Sequence, residues 1–396
     1  MFSSPLLPAV LRSGVFAVII EGVMLGDPVG SVDYSRLEAT AFPNRRMGAL
    51  SAAVVGAGAL GNEVIKSLGL IGIGRILVID PDRIEASNLT RSVFYSYYNS
   101  AGLNKAQVIA EVCSKLFANT RFDALPLEIA DVGFQDLKDL DLLFSCVDSD
   151  LARLEIAYIA TRLDIPVADA GLGAENYSHG RATWFGGRRS GCYSCMLSRR
   201  MRREILNFSD GQVRSCWAAD AAESAGLPGT PMMAAVVAGM QVDLGLRGVL
   251  GGLREESWSV ELSLDPVPEM ERFAVRQSVS CPFHERPHKL VEAPRDTAST
   301  VWELLESVEG NDPALVLDWP ICTAAACADC GHKWAPLRRL AVLRRGGACP
   351  ACGSRGVREE ETIRLVTRHS SWASTALSQL GLPPHHLYTV RTGDTQ

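Results

Sequence analysis

The chain lacks a dominant charge. Its 39 lysines and arginines face 45 aspartates and glutamates, a formal net charge of −6 over 396 residues. No broad field of one sign marks it for nucleic acid or for a membrane surface. It also lacks a basic leader followed by an unbroken apolar run. Leu6–Met24 is apolar, but Pro8, Arg12 and Glu21 interrupt it and no clear small-residue cleavage site follows. Residues 1–31 are expected to be an N-terminal extension packed on the domain, and the chain is expected in the cytoplasm. Internal repeats and low-complexity stretches are missing too. Eleven cysteines in a chain this long do not make a secreted disulfide scaffold. Seven of them, with one histidine, fall into metal-type pairs, which suits a reducing compartment.

What is present is an ordinary globular balance, 47% hydrophobic and 21% charged. The length allows about two or three domains. The most informative stretch runs from Ala53 to Arg91. An apolar strand enters the turn Gly56-Ala57-Gly58-Ala59-Leu60-Gly61, a helix follows, and a second strand, Arg75 to Ile79, ends at Asp80. Gly56 permits the tight turn, Gly58 admits a phosphate close to the backbone, and Gly61 lets helix and strand touch. The helix N-terminus offers N–H groups to anionic oxygens, and Asp80 can accept hydrogen bonds from a ribose. A glycine turn that only packs a helix on a sheet is the alternative. The strand, helix and acid around the turn weigh against it.

Strands are expected at Ala52–Val55, Ile76–Ile79, Phe122–Leu127, Asp141–Cys146 and Ile165–Ala168. Helices are expected at Lys105–Phe117 and Leu151–Leu163. This alternation predicts an α/β, Rossmann-like, doubly wound and mostly parallel sheet. Gly56, Asp80 and Asp148 all sit at strand ends and should converge on one pocket. Beyond Gly180 the pattern changes. Arg181–Phe185 reads as a strand, Cys192 and Cys195 lie in a turn, and Met201–Ala225 is polar and irregular. Pro231–Gly248 is a long apolar helix and Ser257–Leu262 a strand. A linker is expected around Glu292–Asp296, giving a domain over 32–293 and a C-terminal region over 294–396. There Ile363–Val366 reads as a strand, Ser374–Leu380 as a short helix, and His385 and His386 as surface residues.

These motifs, in this order, resemble the ThiF/MoeB and ubiquitin-activating (E1-like) superfamily over roughly residues 32–290. The glycine loop, Asp80-Pro81-Asp82, Asn88-Leu89-Thr90-Arg91, Lys105 in GLNKA and Cys146-Val147-Asp148 carry the resemblance. Tyr34-Ser35-Arg36 is similar to a family segment in which glutamine stands where this chain has Leu37. Ser92 likewise stands where a glutamine is usual. The resemblance implies an enzyme that uses ATP to adenylate the C-terminal glycine of a ubiquitin-like protein. It implies that Asp80 holds the ribose, that Asn88, Arg91 and Lys105 contact phosphates, and that Asp148 holds Mg²⁺. It also implies that Arg36 reaches into the partner's site of a homodimer. Such residue types suit the chemistry, because charge on phosphate oxygens needs cations nearby. Asn88 and Arg91 read alone would be a solvated loop with a local cap.

Cys327-Ala-Asp-Cys330 and Cys349-Pro-Ala-Cys352, each followed by glycine, have the spacing of a four-thiolate zinc ribbon. The family often carries two further pairs flanking its long apolar helix. Here they are Cys192-Tyr-Ser-Cys195 and Cys281-Pro-Phe-His284, a Cys₃His set for Zn²⁺ unless His284 is only a surface residue. Cys216, in RSCWAADA, resembles the thioester-forming cysteine of compact activating enzymes. A thiol beside Arg214 is a reasonable nucleophile; a small buried residue is the other reading. Cys113 and Cys146 read as core, and Cys322 as spare beside the ribbon. The ending LGLPPHHLYTV is similar to that of some bacterial members.

The expected function is therefore adenylation, thioester formation on Cys216 and transfer to an E2-like protein. The chain would be a bacterial E1-like homodimer using ATP, Mg²⁺ and Zn²⁺. Activation of a sulfur-carrier protein is the nearest alternative. A NAD-dependent Rossmann oxidoreductase leaves Asn88, Arg91, Asp148 and the cysteine pairs unexplained. A non-catalytic adaptor built on the ribbon is the remaining class.

Overall fold

A computed structural model describes residues 32–40, 42–97, 100–173, 178–207, 230–284, 296–384, 386 and 388–393. The main sheet has eight strands: β1 (Ser51–Val55), β2 (Arg75–Ile79), β3 (Arg121–Leu125), β4 (Leu142–Ser145), β5 (Val167–Leu172), β6 (His179–Phe185), β7 (Ser257–Ser263) and β8 (Glu269–Ala274), in the spatial order 3-2-1-4-5-6-7-8. Strands β1 to β5 run parallel, and β6 to β8 add antiparallel. This is the α/β, Rossmann-like sheet expected from the sequence. The order reverses between β1 and β4, where such sheets bind ligands.

Alternation along the strands builds two cores. Ala52 and Val54 of β1 face helices Ala59–Leu70, Lys105–Leu116 and Pro231–Leu250. Ala53 and Val55 point the other way, toward helix Asp150–Leu163. The apolar Pro231–Leu250 helix is long enough to cross a membrane by length and composition. Its buried positions, Met233, Val237, Gln241, Gly245 and Gly248, recur at helical spacing and face the sheet. Gly248 lies so close beneath the Trp184 ring that a Cβ there would fall 2.3 Å from it.

Residues 296–393 form a second structure around β9 (Ala314–Cys327). It pairs with β10 (Lys333–Trp334), β11 (Arg338–Arg339), β12 (Val357–Thr367) and β13 (Thr389–Arg391). It has its own apolar clusters, centred on Leu315, Ile321 and Val366, and on Cys322 and Leu343. This module packs along the outer face of helix Asp150–Leu163. Arg339 bridges to Glu155 at 2.9 Å, Glu128 at 2.8 Å and Asp131 at 3.0 Å. Tyr158 hydrogen-bonds Asp318 and stacks edge-on against Trp319, and Arg162 donates to Thr389 at 3.2 Å.

Several expectations are corrected. Ser374–Leu380 is a run of turns, not a helix. Leu377 and Ser378 donate backbone N–H groups to Ser299 and Thr297, not to their own segment. Met201–Ala225 is not irregular throughout: a helix spans Arg199–Asn207, with Ser198 Oγ accepting from the N–H of Met201. Cys192 and Cys195 flank and enter a short helix, Tyr193–Met196, rather than a plain turn. His386 is buried, 2.9 Å from Asp318 and edge-on to Phe134. Strands β8 and β9 were not anticipated. Every residue of β8 is exposed, so it has no apolar face to read. In β9 the pairs to β12 fall on either side of Pro320, which has no N–H to give to the ladder. Cys216, the N-terminal extension, His385 and most of the linker lie outside the described residues.

Candidate functional site at the switch point

Gly56 takes a φ of +91°, and a Cβ there would lie 2.6 Å from the Cys146 carbonyl oxygen. A Cβ on Gly61 would lie 2.0 Å from the Gly56 oxygen. These two glycines are fixed by the fold. Gly58 differs: a Cβ would meet nothing within 4 Å. Its open side is where an anionic ligand can approach the backbone.

Asp80 is 5% exposed and braces this turn. Its carboxylate accepts from the N–H of Ala57 at 2.6 Å and of Asp82 at 2.8 Å. Burial raises its pKa, against the opposing pull of Lys105 and these N–H groups. Asp82 is accessible and pairs with Lys105 Nζ at 2.9 Å. Burial works against the Lys105 ammonium, but Asp80, Asp82 and Asp148 outweigh it and raise its pKa. Asp148 is exposed on the turn after β4. Gly56, Asp80, Lys105 and Asp148 are thus brought together at the carboxyl ends of β1, β2 and β4.

Asn88 and Arg91 make local bonds. The Asn88 side chain accepts from the Glu85 N–H at 3.0 Å, and Arg91 donates to Ser87 O at 3.3 Å. This is the local cap that the residues read alone would give. The segment still meets the glycine turn, because Tyr95 donates to Ala57 O and the Phe94 N–H donates to Asn62 Oδ1. Arg36 is exposed in the short helix Ser35–Glu38. Its neighbour Tyr34 lies against Gly72 and Asn119, which precede β2 and β3. Arg36 therefore sits toward the amino ends of the strands, opposite to its own chain's switch point.

Sequence reading missed the supports. Asn62 holds the carbonyls of Ala57 and Gly58 at 2.9 and 3.0 Å. Asn104 caps the Lys105 helix and also holds the carbonyls of Asp80 and Asp82. Gln241 reaches from the apolar helix to the carbonyls of Ser145 and Ala168. Only Asn104, directly before a helical run, carried a readable signal. Cys146 is core, as expected; burial pushes its thiol up to about 12.

Two groups of four donors can each hold a metal ion. They are Cys192, Cys195, Cys281 and His284, and Cys327, Cys330, Cys349 and Cys352. A tetrahedral ion with metal–sulfur bonds of about 2.3 Å has sulfur–sulfur edges of about 3.8 Å. The sulfurs of Cys192–Cys195 and Cys192–Cys281 are 3.7 and 3.8 Å apart, and Cys327–Cys352 and Cys330–Cys349 are each 3.6 Å apart. His284 is no bystander. Its Nε2 lies 3.2 Å from Cys195 Sγ, and its Nδ1 lies 2.9 Å from Arg188 O. An Nδ1–H bonded to that carbonyl leaves Nε2 free as a ligand.

The sheet order and the residues gathered at its reversal define the class, a Rossmann-type α/β protein with its candidate site at the switch point. The model of the ThiF family matches residues 39–281, and this chain belongs to that family. Ubiquitin-like modifier-activating enzyme 5 of Bombyx mori is 30% identical over 194 residues, covering 44% of this chain and 48% of that protein. The adenylyltransferase and sulfurtransferase UBA4 of Kluyveromyces lactis is 32% identical over 121 residues, covering 30% and 27%. The chain thus spans about half the length, or less, of these curated relatives. A crystal structure of E. coli MccB with ATP matches at a TM-score of 0.46 and 20% identity, covering 61% of this chain and 68% of that one.

Proposed function

We propose that this chain adenylates the C-terminal carboxylate of a ubiquitin-like protein, using ATP. The observation that carries the reading is the open face of Gly58 beside Asp80, Lys105 and Asp148, in a chain of the ThiF family. A carboxylate oxygen of the partner attacks the α-phosphorus. The new O–P bond forms as the bond to the β-phosphate's bridging oxygen breaks, and pyrophosphate leaves. The glycine turn and the N–H groups beyond it receive phosphate oxygens. Lys105 moves from Asp82 to the polyphosphate, and Arg91 turns in from its local bond to Ser87. Asp148 is the hard oxygen ligand that suits magnesium, whose charge offsets that of the phosphates. Asp80 holds the turn and presents its remaining lone pairs to the ribose. Arg36, remote from its own pocket, serves the partner's pocket in a homodimer. The two four-donor groups hold structural zinc, since four protein ligands leave no open position.

In a second step the Cys216 thiolate attacks the acyl carbon. A C–S bond forms, the C–O bond to the phosphate breaks and AMP leaves, and the thioester passes to an E2-like cysteine. The likeness to the modifier-activating enzymes supports this course. The UBA4 match supports a second reading, in which the adenylate is converted to a thiocarboxylate on a sulfur carrier.

The test is ATP–pyrophosphate exchange with purified candidate partners. Exchange that needs the partner's C-terminal glycine and is abolished by Asp148→Ala supports adenylation; no exchange with any partner overturns it. Cys216→Ala should keep exchange and lose a reductant-sensitive adduct in intact-mass spectra. Exchange without any adduct in the wild type favours the sulfur-carrier course.

A further inference from the structure

We propose that Tyr193 and Arg153 are positioning residues for Asp148, and that Tyr193 ties the Cys₃His group to the magnesium-binding turn. The inference rests on the adenylation reading above. Asp148 lies in the short turn between β4 and helix Asp150–Leu163, with its side chain in solvent. A metal ligand on such a turn needs its flanks fixed, because small errors in placement cost affinity.

The flanks are fixed from both sides. Before Asp148, the Val147 carbonyl accepts from Arg153 Nη2 at 2.7 Å, and the same nitrogen donates to Ala170 O at 2.8 Å. Arg153 is itself held: Asp169 lies 3.6 Å from its Nε, and Asp169 also accepts from Ser145 Oγ at 2.6 Å and lies 3.3 Å from Arg181. After Asp148, Ser149 caps the helix through the Ala152 N–H at 3.1 Å. Asp150 Oδ1 then accepts from the Tyr193 hydroxyl at 2.6 Å. Tyr193 is 6% exposed and sits between Cys192 and Cys195. Its ring therefore takes its place from the cysteines on either side. Closing the Cys₃His group thus fixes the hydroxyl, the hydroxyl fixes Asp150, and Asp150 fixes the turn two residues away.

The test uses full-length protein and reads the magnesium dependence of the thermal stabilisation given by ATP, alongside exchange activity. Tyr193→Phe removes one oxygen. It should raise the magnesium concentration for half-maximal stabilisation about tenfold, the low end of the roughly 10–100-fold lost when a bond behind a metal ligand is removed. Zinc content and ATP affinity in EDTA should stay as in the wild type. Asp150→Leu should behave like Tyr193→Phe. Asp150→Asn, equally uncharged but still an acceptor, should stay near the wild type, and Tyr193→Phe with Asp150→Leu should be no worse than either alone. A wild-type magnesium dependence in both Tyr193→Phe and Asp150→Leu overturns the positioning role. If the wild type itself shows no magnesium-dependent binding of ATP, the adenylation reading falls and takes this proposal with it.

Discussion

Adding one methyl group at Gly58 or at Gly61 should separate the ligand-facing part of the glycine turn from its structural part. At Gly61 the new carbon would lie 2.0 Å from the Gly56 oxygen and 3.0 Å from its carbonyl carbon. Gly56 cannot retreat, because its own Cβ direction faces the Cys146 backbone 2.6 Å away. Overpacking against rigid backbone costs about 3 kcal/mol, which for a domain of this size is a fall in melting temperature of roughly 6–12 °C. At Gly58 the methyl group meets nothing within 4 Å, and the backbone, at φ −72°, suits any residue. There the poorer cap of alanine and its smaller unfolded-state entropy offset each other to within about 1 kcal/mol. Gly58→Ala should therefore melt with the wild type and bind Mg·ATP at least about tenfold more weakly, a loss of about 1.4 kcal/mol. Calorimetric titration and thermal denaturation read both effects. Wild-type ATP affinity in Gly58→Ala would refute the phosphate cradle, and wild-type melting in Gly61→Ala would refute the close-contact argument.

Arg36→Ala mixed with Asp148→Ala should recover part of the exchange activity once subunits have swapped, because one site per mixed dimer is then intact; confirmed mixed dimers without recovery would mean that Arg36 acts within its own chain or not at all. Elemental analysis should find two zinc ions per chain, and Cys330→Ser should leave one and loosen the C-terminal module; a single ion in the wild type would count first against the Cys₃His group. Arg339→Met should cost about 3 kcal/mol by urea denaturation, as breaking a buried ion pair does, and adding Glu155→Gln should recover part of it; an unchanged urea midpoint would show that the contact carries little weight.

The parallel half of the sheet was legible because its strands are short apolar runs set off by glycine and aspartate. The convergence of Gly56, Asp80 and Asp148 was legible because each ends such a run. The supporting bonds were not. Asn62 and Gln241 lie on apolar helix faces, where a lone amide reads only as a blemish in the pattern. Tyr193 reads as filler between two cysteines. The two four-donor groups were legible from spacing, with His284 in place of a fourth cysteine. The C-terminal turns were misread because Thr375-Ala376-Leu377-Ser378 has helix-like composition, while the N–H groups of Leu377 and Ser378 go to residues far away in sequence. The burial of His386 depends on Asp318 and Phe134, partners no local pattern can announce.

Helix Asp150–Leu163 meets the sheet on one side and, on the other, Arg339, Asp318 and Thr389 of the C-terminal module. The Rossmann-like half thus shares a wall with its neighbour rather than a doorway. Shortening the chain before residue 296 would bare Glu155, Tyr158, Phe134 and a stretch of helix fitted to another surface. Any force on the ribbon side is delivered to the helix whose first residues follow Asp148, so the module's seating and the setting of that aspartate cannot drift independently.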